Sequence, residues 1–383
     1  MNPMEKITVS SFNCRGLRDQ KKRLAVFNWL KSKHRGLVFL QETHSMIEDE
    51  MIWEKEWGSN IYFGHGNTQS RGVAILIPGS LSSKFVVNNT IKDDNGRYII
   101  LDCVIVDSPI LLVNVYAPTK DHQLMQLSFL DNLKQILQDH IDKDIIIGGD
   151  LNTYLNPGLD KKGGTPENQS QYSQNLISLM EEYNMVDIWR LRNPQTLRFT
   201  RRENTRAGLV QSRLDYILVS STLANQVTNC TINPGFKSDH SILNCNIRLI
   251  HSQKRGRGYW KFNNKLLTDD RYISMIKHEI KEVKNQLFFE NKNMAWDFVK
   301  CQIRTCTVSY CLSKSKREKE KENLLLNSLQ TLEKECQEDE SKLDEYNKAK
   351  HDWENFESNK ADRVLFRSKV NWVEMGEKIQ NTF

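Results

Sequence analysis

Nowhere in these 383 residues does an apolar run approach the roughly 18 residues that a membrane span requires. The polar N-terminus enters a strand-like run within a few residues, so neither a membrane span nor a secretory leader is expected. Eight cysteines occur without one CxxC pair, and Cys301, Cys306 and Cys311 recur every five residues, a spacing that suits neither zinc ligation nor a disulfide framework. Reduced thiols in a soluble, intracellular protein are the expectation. Internal repeats are lacking as well. A strong excess of one charge is lacking too: 54 Lys+Arg against 48 Asp+Glu leaves +6, compatible with a polyanionic partner without requiring one.

What is present is a folded chain with alternating patterns. A hydrophobic content of 38% over this length suffices for one large domain and an appendage. Lys6 to Phe12 and Gly36 to Leu40 read as strands around a helix whose Leu24, Phe27 and Leu30 recur at helical spacing. Further strands are expected at Val73 to Ile77, Tyr98 to Val106, Ile110 to Tyr116, Asp144 to Ile147, Ser212 to Val219 and Ser241 to Ile247. Helices are expected over Leu124, Leu127, Leu130, Leu133 and Leu137, and from Asn175 to Tyr183. This alternation predicts an α/β fold of two packed sheets with helices outside. The basic, glycine-containing stretch His251 to Gly258 places a domain boundary near residue 250. Beyond it the composition becomes helical and charged, with Leu325, Leu329, Leu332, Cys336, Leu343, Tyr346 and Trp353 in a 4-3 spacing that predicts a helical hairpin or short coiled coil.

Polar residues cluster where the strand-like runs end. Ser11-Phe12-Asn13, Leu40-Gln41-Glu42-Thr43, Asn114-Val115-Tyr116-Ala117-Pro118, Gly148-Gly149-Asp150-Leu151-Asn152, Arg213-Leu214-Asp215-Tyr216 and Ser238-Asp239-His240-Ser241 each follow or open such a run. Side chains gathered from distant strand ends are how an α/β enzyme assembles a site. Phosphodiester hydrolysis needs a cation on the phosphate, a positioned water and donors for the developing charge. Glu42 is a hard oxygen ligand of the sort Mg²⁺ prefers. Asp150 can orient or deprotonate water, Asn152 can bond a non-bridging oxygen, and the two glycines before them would let a phosphate approach the backbone. An Asp215–His240 pair would hold a cationic imidazole, and Tyr116 would donate its phenolic proton. Taken singly, each motif has a plainer explanation: a surface acid, an Asx-capped turn, a satisfied loop, a packed tyrosine. Their ordered coincidence does not.

In order and spacing these residues resemble the endonuclease/exonuclease/phosphatase superfamily over about residues 6 to 249. The resemblance implies a four-layered, DNase I-like α/β sandwich and Mg²⁺-dependent hydrolysis, with Mn²⁺ as a substitute. It implies that Glu42, Asn13 and Asp239 bind metal, that Asp150 activates water, that Asn152 and Tyr116 contact phosphate, and that Asp215 orients His240. Apurinic repair enzymes carry an acid two residues after the first asparagine, where this chain has Arg15. The stretches Gly258 to Asn263 and Phe366 to Lys378 look like the connector after the endonuclease of non-LTR retrotransposon polyproteins. No aromatic-Ala-Asp-Asp motif follows, so a truncated retroelement copy is the expectation.

That likeness implies nicking of double-stranded DNA to leave a 3′-hydroxyl for reverse transcription, by a monomer acting in the nucleus. Arg198, Arg201, Arg202 and Arg206 fall in a segment resembling the hairpin by which such nucleases probe the DNA groove. Lys120, His122, Lys161 and Lys162 are weaker candidates for backbone contact. RNA is a further expected partner for the basic tail, which would alternatively bind DNA, pair with itself or stay loosely ordered. An apurinic repair endonuclease, a phosphatase of the same fold and an idle nucleic-acid-binding remnant remain open alternatives.

Overall fold

The computed structural model describes residues 4–140, 142–164, 169–205, 208–250, 262–286 and 292–360. The basic boundary stretch, the later connector-like motif and Arg206 lie outside the described residues. Two compact units are present, one of Met1–Gln253 with Glu354–Phe383 and one of Lys254–Trp353.

The first unit is a four-layered α/β sandwich. One six-stranded sheet runs in the order Val227–Asn233, Ile242–Ile250, Met4–Asn13, Leu37–Gln41, Val73–Leu76, Ile61–Gly64. The other runs Met185–Asp187, Asp215–Ser220, Asp144–Asp150, Ser108–Tyr116, Tyr98–Ile105, Phe85–Lys92. Each sheet has one parallel pair, Met4–Asn13 with Leu37–Gln41 and Ser108–Tyr116 with Asp144–Asp150, among antiparallel neighbours. The inner faces meet through Val9, Leu37, Phe39, Ile75, Leu101, Leu112, Ile146, Ile217 and Leu243, all buried. Strands with apolar residues on both faces must be covered on both. Helices Gln123–Gln138 and Gln171–Glu182 cover the outside of the second sheet through Phe129, Leu133, Leu137 and Leu176. Helix Gln20–Lys33, capped by Asp19 on the Lys22 amide, brings Trp29 against Phe12.

Several elements differ from expectation for identifiable reasons. Ser212 to Val219 is two strands, because the chain turns at Arg213, whose guanidinium is fully buried between Asp160 and Asp187. The first of these strands, Gly208–Ser212, pairs with Arg201–Thr205 and Lys161–Lys162 in a separate three-stranded sheet. Leu124 carries the helical spacing but is 84% exposed, so the core does not use it. The two glycines before Asp150 serve packing instead of phosphate approach. A Cβ at Gly148 would lie 2.6 Å from the Phe39 ring, and one at Gly149, with φ +151°, would lie 1.9 Å from the Val115 carbonyl.

In the second unit, Asp270–Gln286 packs on Lys292–Glu338 through Tyr272, whose hydroxyl bonds Thr307 at 2.6 Å. Residues 343–353 of this unit are again helical. Leu329, Cys336, Tyr346 and Trp353, from the 4-3 pattern, are buried. No helix among the described residues is long and apolar enough to cross a membrane.

Candidate active site

Strand register sets the site. Tyr116 is abreast of Asp150, and Asp150 of Asp215, on three adjacent strands of the second sheet. Asn13 is abreast of Gln41 in the first sheet, and Glu42 follows at once. Packing the two sheets face to face therefore brings five of the candidate residues to one edge.

Asn13 joins the sheets. Its Nδ2 donates to Glu42 Oε1 at 2.9 Å and to Asp150 Oδ2 at 3.0 Å, and its Oδ1 accepts from the Arg15 amide at 3.2 Å. Its amide nitrogen, and not its oxygen, thus faces the two acids. The Tyr116 hydroxyl also bonds Glu42. His240 Nδ1 lies 2.8 Å from Asp215 Oδ2, and its Nε2 lies 3.9 Å from Asp150 Oδ2. Ser238 ties this pair to Asn13, since its hydroxyl donates to the Asn13 carbonyl at 2.7 Å and accepts from the His240 amide at 3.1 Å.

The protonation states follow from burial and neighbours. Burial would depress the His240 imidazole, but Asp215, with Asp150 and Asp239 beyond it, overrides that cost and raises it to about 9. Burial and then the Asp215 charge push the Asp150 carboxyl up to about 7, against the pull of His240 and Asn13. Burial, with Glu42 and Asp150 nearby, pushes the Tyr116 phenol upward, so it keeps its proton. Asp239 is held below the usual carboxylate range: burial opposes this, but His240, Arg15 and Arg201 outweigh it. Arg15 Nη1 lies 3.3 Å and Arg201 Nε 3.6 Å from Asp239 Oδ2.

The donor set suits a hard divalent cation. Glu42 and Asp150 share one amide donor, and ligand atoms of Asp150, Asp215 and His240 lie within 4.8 Å of one another. Buried Asp215 Oδ1 and Asp239 Oδ1 have no hydrogen-bond partner among the described residues. Because His240 Nδ1 is committed to Asp215, carboxylate oxygens are the natural ligands.

Of the other expected residues, Asn152 and Arg201 touch this centre and the rest lie away from it. Asn152, at φ +48°, turns its amide onto the Ala117 carbonyl at 2.8 Å while its backbone N–H donates to Asp150 Oδ1 at 3.0 Å. Arg198 bonds the Ile232 carbonyl at 3.2 Å, Arg202 is half-buried, and Arg201 faces Asp239. Lys161 and Lys162 form the short strand beside Gly208–Ser212, while Lys120 and His122 are exposed.

Sequence reasoning gave no role to four supports, two of which, Gln41 and Asn114, stand inside motifs it named. Asn114 donates to the Leu40 and Ala74 carbonyls at 2.9 Å each and accepts from Gln41 Nε2 at 2.7 Å, stitching the sheets directly behind Glu42. Both amides interrupt apolar runs, which was the available signal. Thr200 Oγ1 accepts from the Leu214 and Asp215 amides at 3.0 and 3.2 Å, and Ser45 bonds Thr43 at 3.0 Å and His65 at 3.2 Å. The Ser45 chain steadies a loop in which Glu42 and His44 both adopt positive φ, 51° and 55°.

A two-sheet sandwich with carboxylates, an amide and an Asp-paired imidazole at one edge defines a phosphoesterase-like class of protein. The model of the Endonuclease/Exonuclease/phosphatase family matches residues 10–240, and the chain belongs to this family. The chain is also similar to an uncharacterized 149 kDa protein of transposon TX1 from Xenopus laevis, at 28% identity over 369 residues. That match covers 95% of this chain but only 28% of the relative. Among solved structures, the AP endonuclease LMAP from Leishmania major shares the fold with a TM-score of 0.56 at 19% identity, over 64% of this chain and 88% of that one. An AP endonuclease from Archaeoglobus fulgidus does so with a TM-score of 0.51 at 20% identity, over 62% of this chain and 98% of that one.

Proposed function

We propose that this chain is a divalent-cation-dependent DNA endonuclease that nicks one strand of a duplex and leaves a 3′-hydroxyl able to prime reverse transcription, acting in the nucleus as part of a retroelement. The observation that carries the reading is the single Asn13 amide joining Glu42 to Asp150, opposite the Asp215–His240 pair. The transposon relative supports the retroelement context.

Glu42 and Asp239 would hold Mg²⁺ or Mn²⁺, which would neutralise the phosphate and the departing oxygen. Asp150 takes a proton from water as its oxygen bonds to phosphorus, and a carboxyl held near neutrality suits that task. The bond from phosphorus to the 3′ oxygen breaks, that oxygen gains a proton from solvent, and the products are a 3′-hydroxyl and a 5′-phosphate. His240, kept cationic by Asp215, faces the charge developing on the phosphate. Tyr116, whose single phenolic proton is given to Glu42 here, would turn that proton to a phosphate oxygen when the substrate is bound. Arg201 and Arg202 would meet the DNA backbone from the hairpin beside His240.

Termini provide the test. Nicked plasmid should be extended by a DNA polymerase without prior phosphatase treatment, and ends that need a phosphatase first would contradict the proposed bond cleavage. Incision at abasic sites is the second reading, because both solved relatives are named AP endonucleases. Arg15 at the mouth, paired to Asp239, argues against it. An abasic duplex cut much faster than an intact one would reverse that order.

A further inference from the structure

Beside Tyr116 opens a cavity of about 570 Å³, within the range of small-molecule sites. It shares a wall with the catalytic centre, since the Arg97 guanidinium that lines it stacks 5.2 Å over the Tyr116 ring. Tyr98 and Phe129, with ring centroids 6.3 Å apart, form its inner side. Arg71, at φ +64° and bonded to Asn95 at 3.2 Å, stands at the mouth. The one carboxylate in the lining, Asp93, is turned onto backbone: its Oδ2 accepts from the Asn95 and Arg97 amides at 3.1 and 2.8 Å. The lining thus carries two guanidiniums against one carboxylate, and that carboxylate's Oδ2 is already engaged by backbone amides, which leaves the guanidinium N–H groups as the donors offered to a ligand. Leu124 and Met125, 84% and 59% exposed, stand on the rim at the first turn of Gln123–Gln138.

An apolar ligand would leave the arginines unanswered, and an inorganic anion would leave the aromatic wall and the Leu124–Met125 rim unused. A nucleotide answers both, with phosphate for the guanidiniums and a base for the apolar surfaces. A paired base cannot enter a recess, whereas an unpaired one enters without the cost of breaking its pair and stack.

We propose that this cavity is a subsite for one unpaired nucleotide of the DNA strand near the nick, with its phosphate on Arg71 and Arg97, its base against Tyr98 and Phe129, and Leu124 and Met125 as an apolar wedge beside it. The enzyme is thereby selective for distorted duplexes. The assignment rests on the nuclease reading and deepens it.

The test uses the full-length chain in EDTA with two duplexes, one carrying a single unpaired 5-iododeoxyuridine and one fully paired. The bulged duplex should bind about fivefold or more tightly, and illumination should crosslink it to Tyr98, Met125 or Phe129. Leu124→Ala/Met125→Ala should erase the difference between the duplexes, and Arg71→Ala should weaken binding to both and lower the salt slope by about 1. Both variants alter exposed or rim side chains, so a native circular-dichroism melt is expected of each. Equal affinity for the two duplexes, or crosslinks confined to the 198–205 hairpin, would overturn the assignment. Nicking in Mg²⁺ is scored separately. Crosslinking here without nicking would refute the nuclease reading and leave the subsite standing, nicking without crosslinking here would refute the subsite alone, and failure to bind DNA would refute both.

Discussion

At the residue scale the centre trades stability for reactivity. Asp150 titrates near 7 in the fold against an ordinary value of 3.8, so the native state binds its proton more tightly than the unfolded chain does. Stability is therefore lost as pH rises from 3.8 through about 7. Asp150→Asn should lower nicking by at least about a hundredfold while leaving the denaturation midpoint in EDTA at pH 8 equal or higher. A lower midpoint with retained nicking would contradict the assigned role. His34 gives an opposite case remote from the chemistry. Burial beside Asn244, 2.6 Å from its Nδ1, depresses its imidazole to about 4 from 6.5. Between those values the unfolded chain takes up a proton and the native one does not, so stability falls as pH drops through that window, by at most roughly 3 kcal/mol. His34→Gln should flatten that acid dependence in urea midpoints measured at pH 7 and pH 4.5, and parallel curves for variant and wild type would count against it. Asn13, Glu42, Asp150 and His240 were readable because each ends or opens an apolar run. Thr200 and Ser45 were not, since each acts through atoms remote in sequence: Thr200 through the amides of residues 214 and 215, and Ser45 through the His65 ring.

At the element scale, register carries the argument. Strand Asp144–Asp150 delivers its terminal acid only because two glycines let it close against Phe39 and Val115. Gly149→Ala should cost about 1–3 kcal/mol by overpacking, more if the strand cannot shift, and should reduce nicking as well because Asp150 moves with the strand. Wild-type stability in a chemical melt would show that the strand has room the geometry denies it. Asn114→Ala should destabilise by about 1–3 kcal/mol, because two carbonyls and Gln41 lose a buried partner between the sheets. The central strands were legible from unbroken apolar runs. Edge strands were not: Phe85–Lys92 is interrupted by the consecutive polar residues Asn88, Asn89 and Thr90, and Val227–Asn233 carries Thr228, Asn229 and Thr231. A strand with one solvated face gives a weaker signal than a doubly covered one.

At the scale of the whole molecule, the candidate centre draws on one continuous part of the chain. Every residue assigned to the centre falls between Asn13 and His240, within the match to the family at 10–240. The charged helices from Asp270 to Glu338 carry exposed Trp296, Leu312 and Leu324, and none of their residues enters the proposed chemistry. A chain ending near residue 250, which also lacks the Glu354–Phe383 part of the first unit, should keep its Mg²⁺-dependent nicking rate within about twofold at saturating DNA, while binding of RNA and of non-specific DNA weakens at low salt. Loss of nicking despite a cooperative melt would make the helical region part of the enzyme proper. The overall α/β class was legible because alternating patterns persist for some 240 residues; the separate sheet around Gly208–Ser212 was not, because it depends on the burial of Arg213 between two acids.

The most direct test of the central claim is conversion of supercoiled plasmid to open circles by the full-length chain, with Mg²⁺ or with EDTA, beside His240→Ala matched for its melting curve. The geometry predicts conversion in Mg²⁺ alone, reduced at least about a hundredfold in the variant, since its cationic imidazole is lost from beside Asp150. Equal conversion by variant and wild type, or none by a well-folded wild type, would contradict the account.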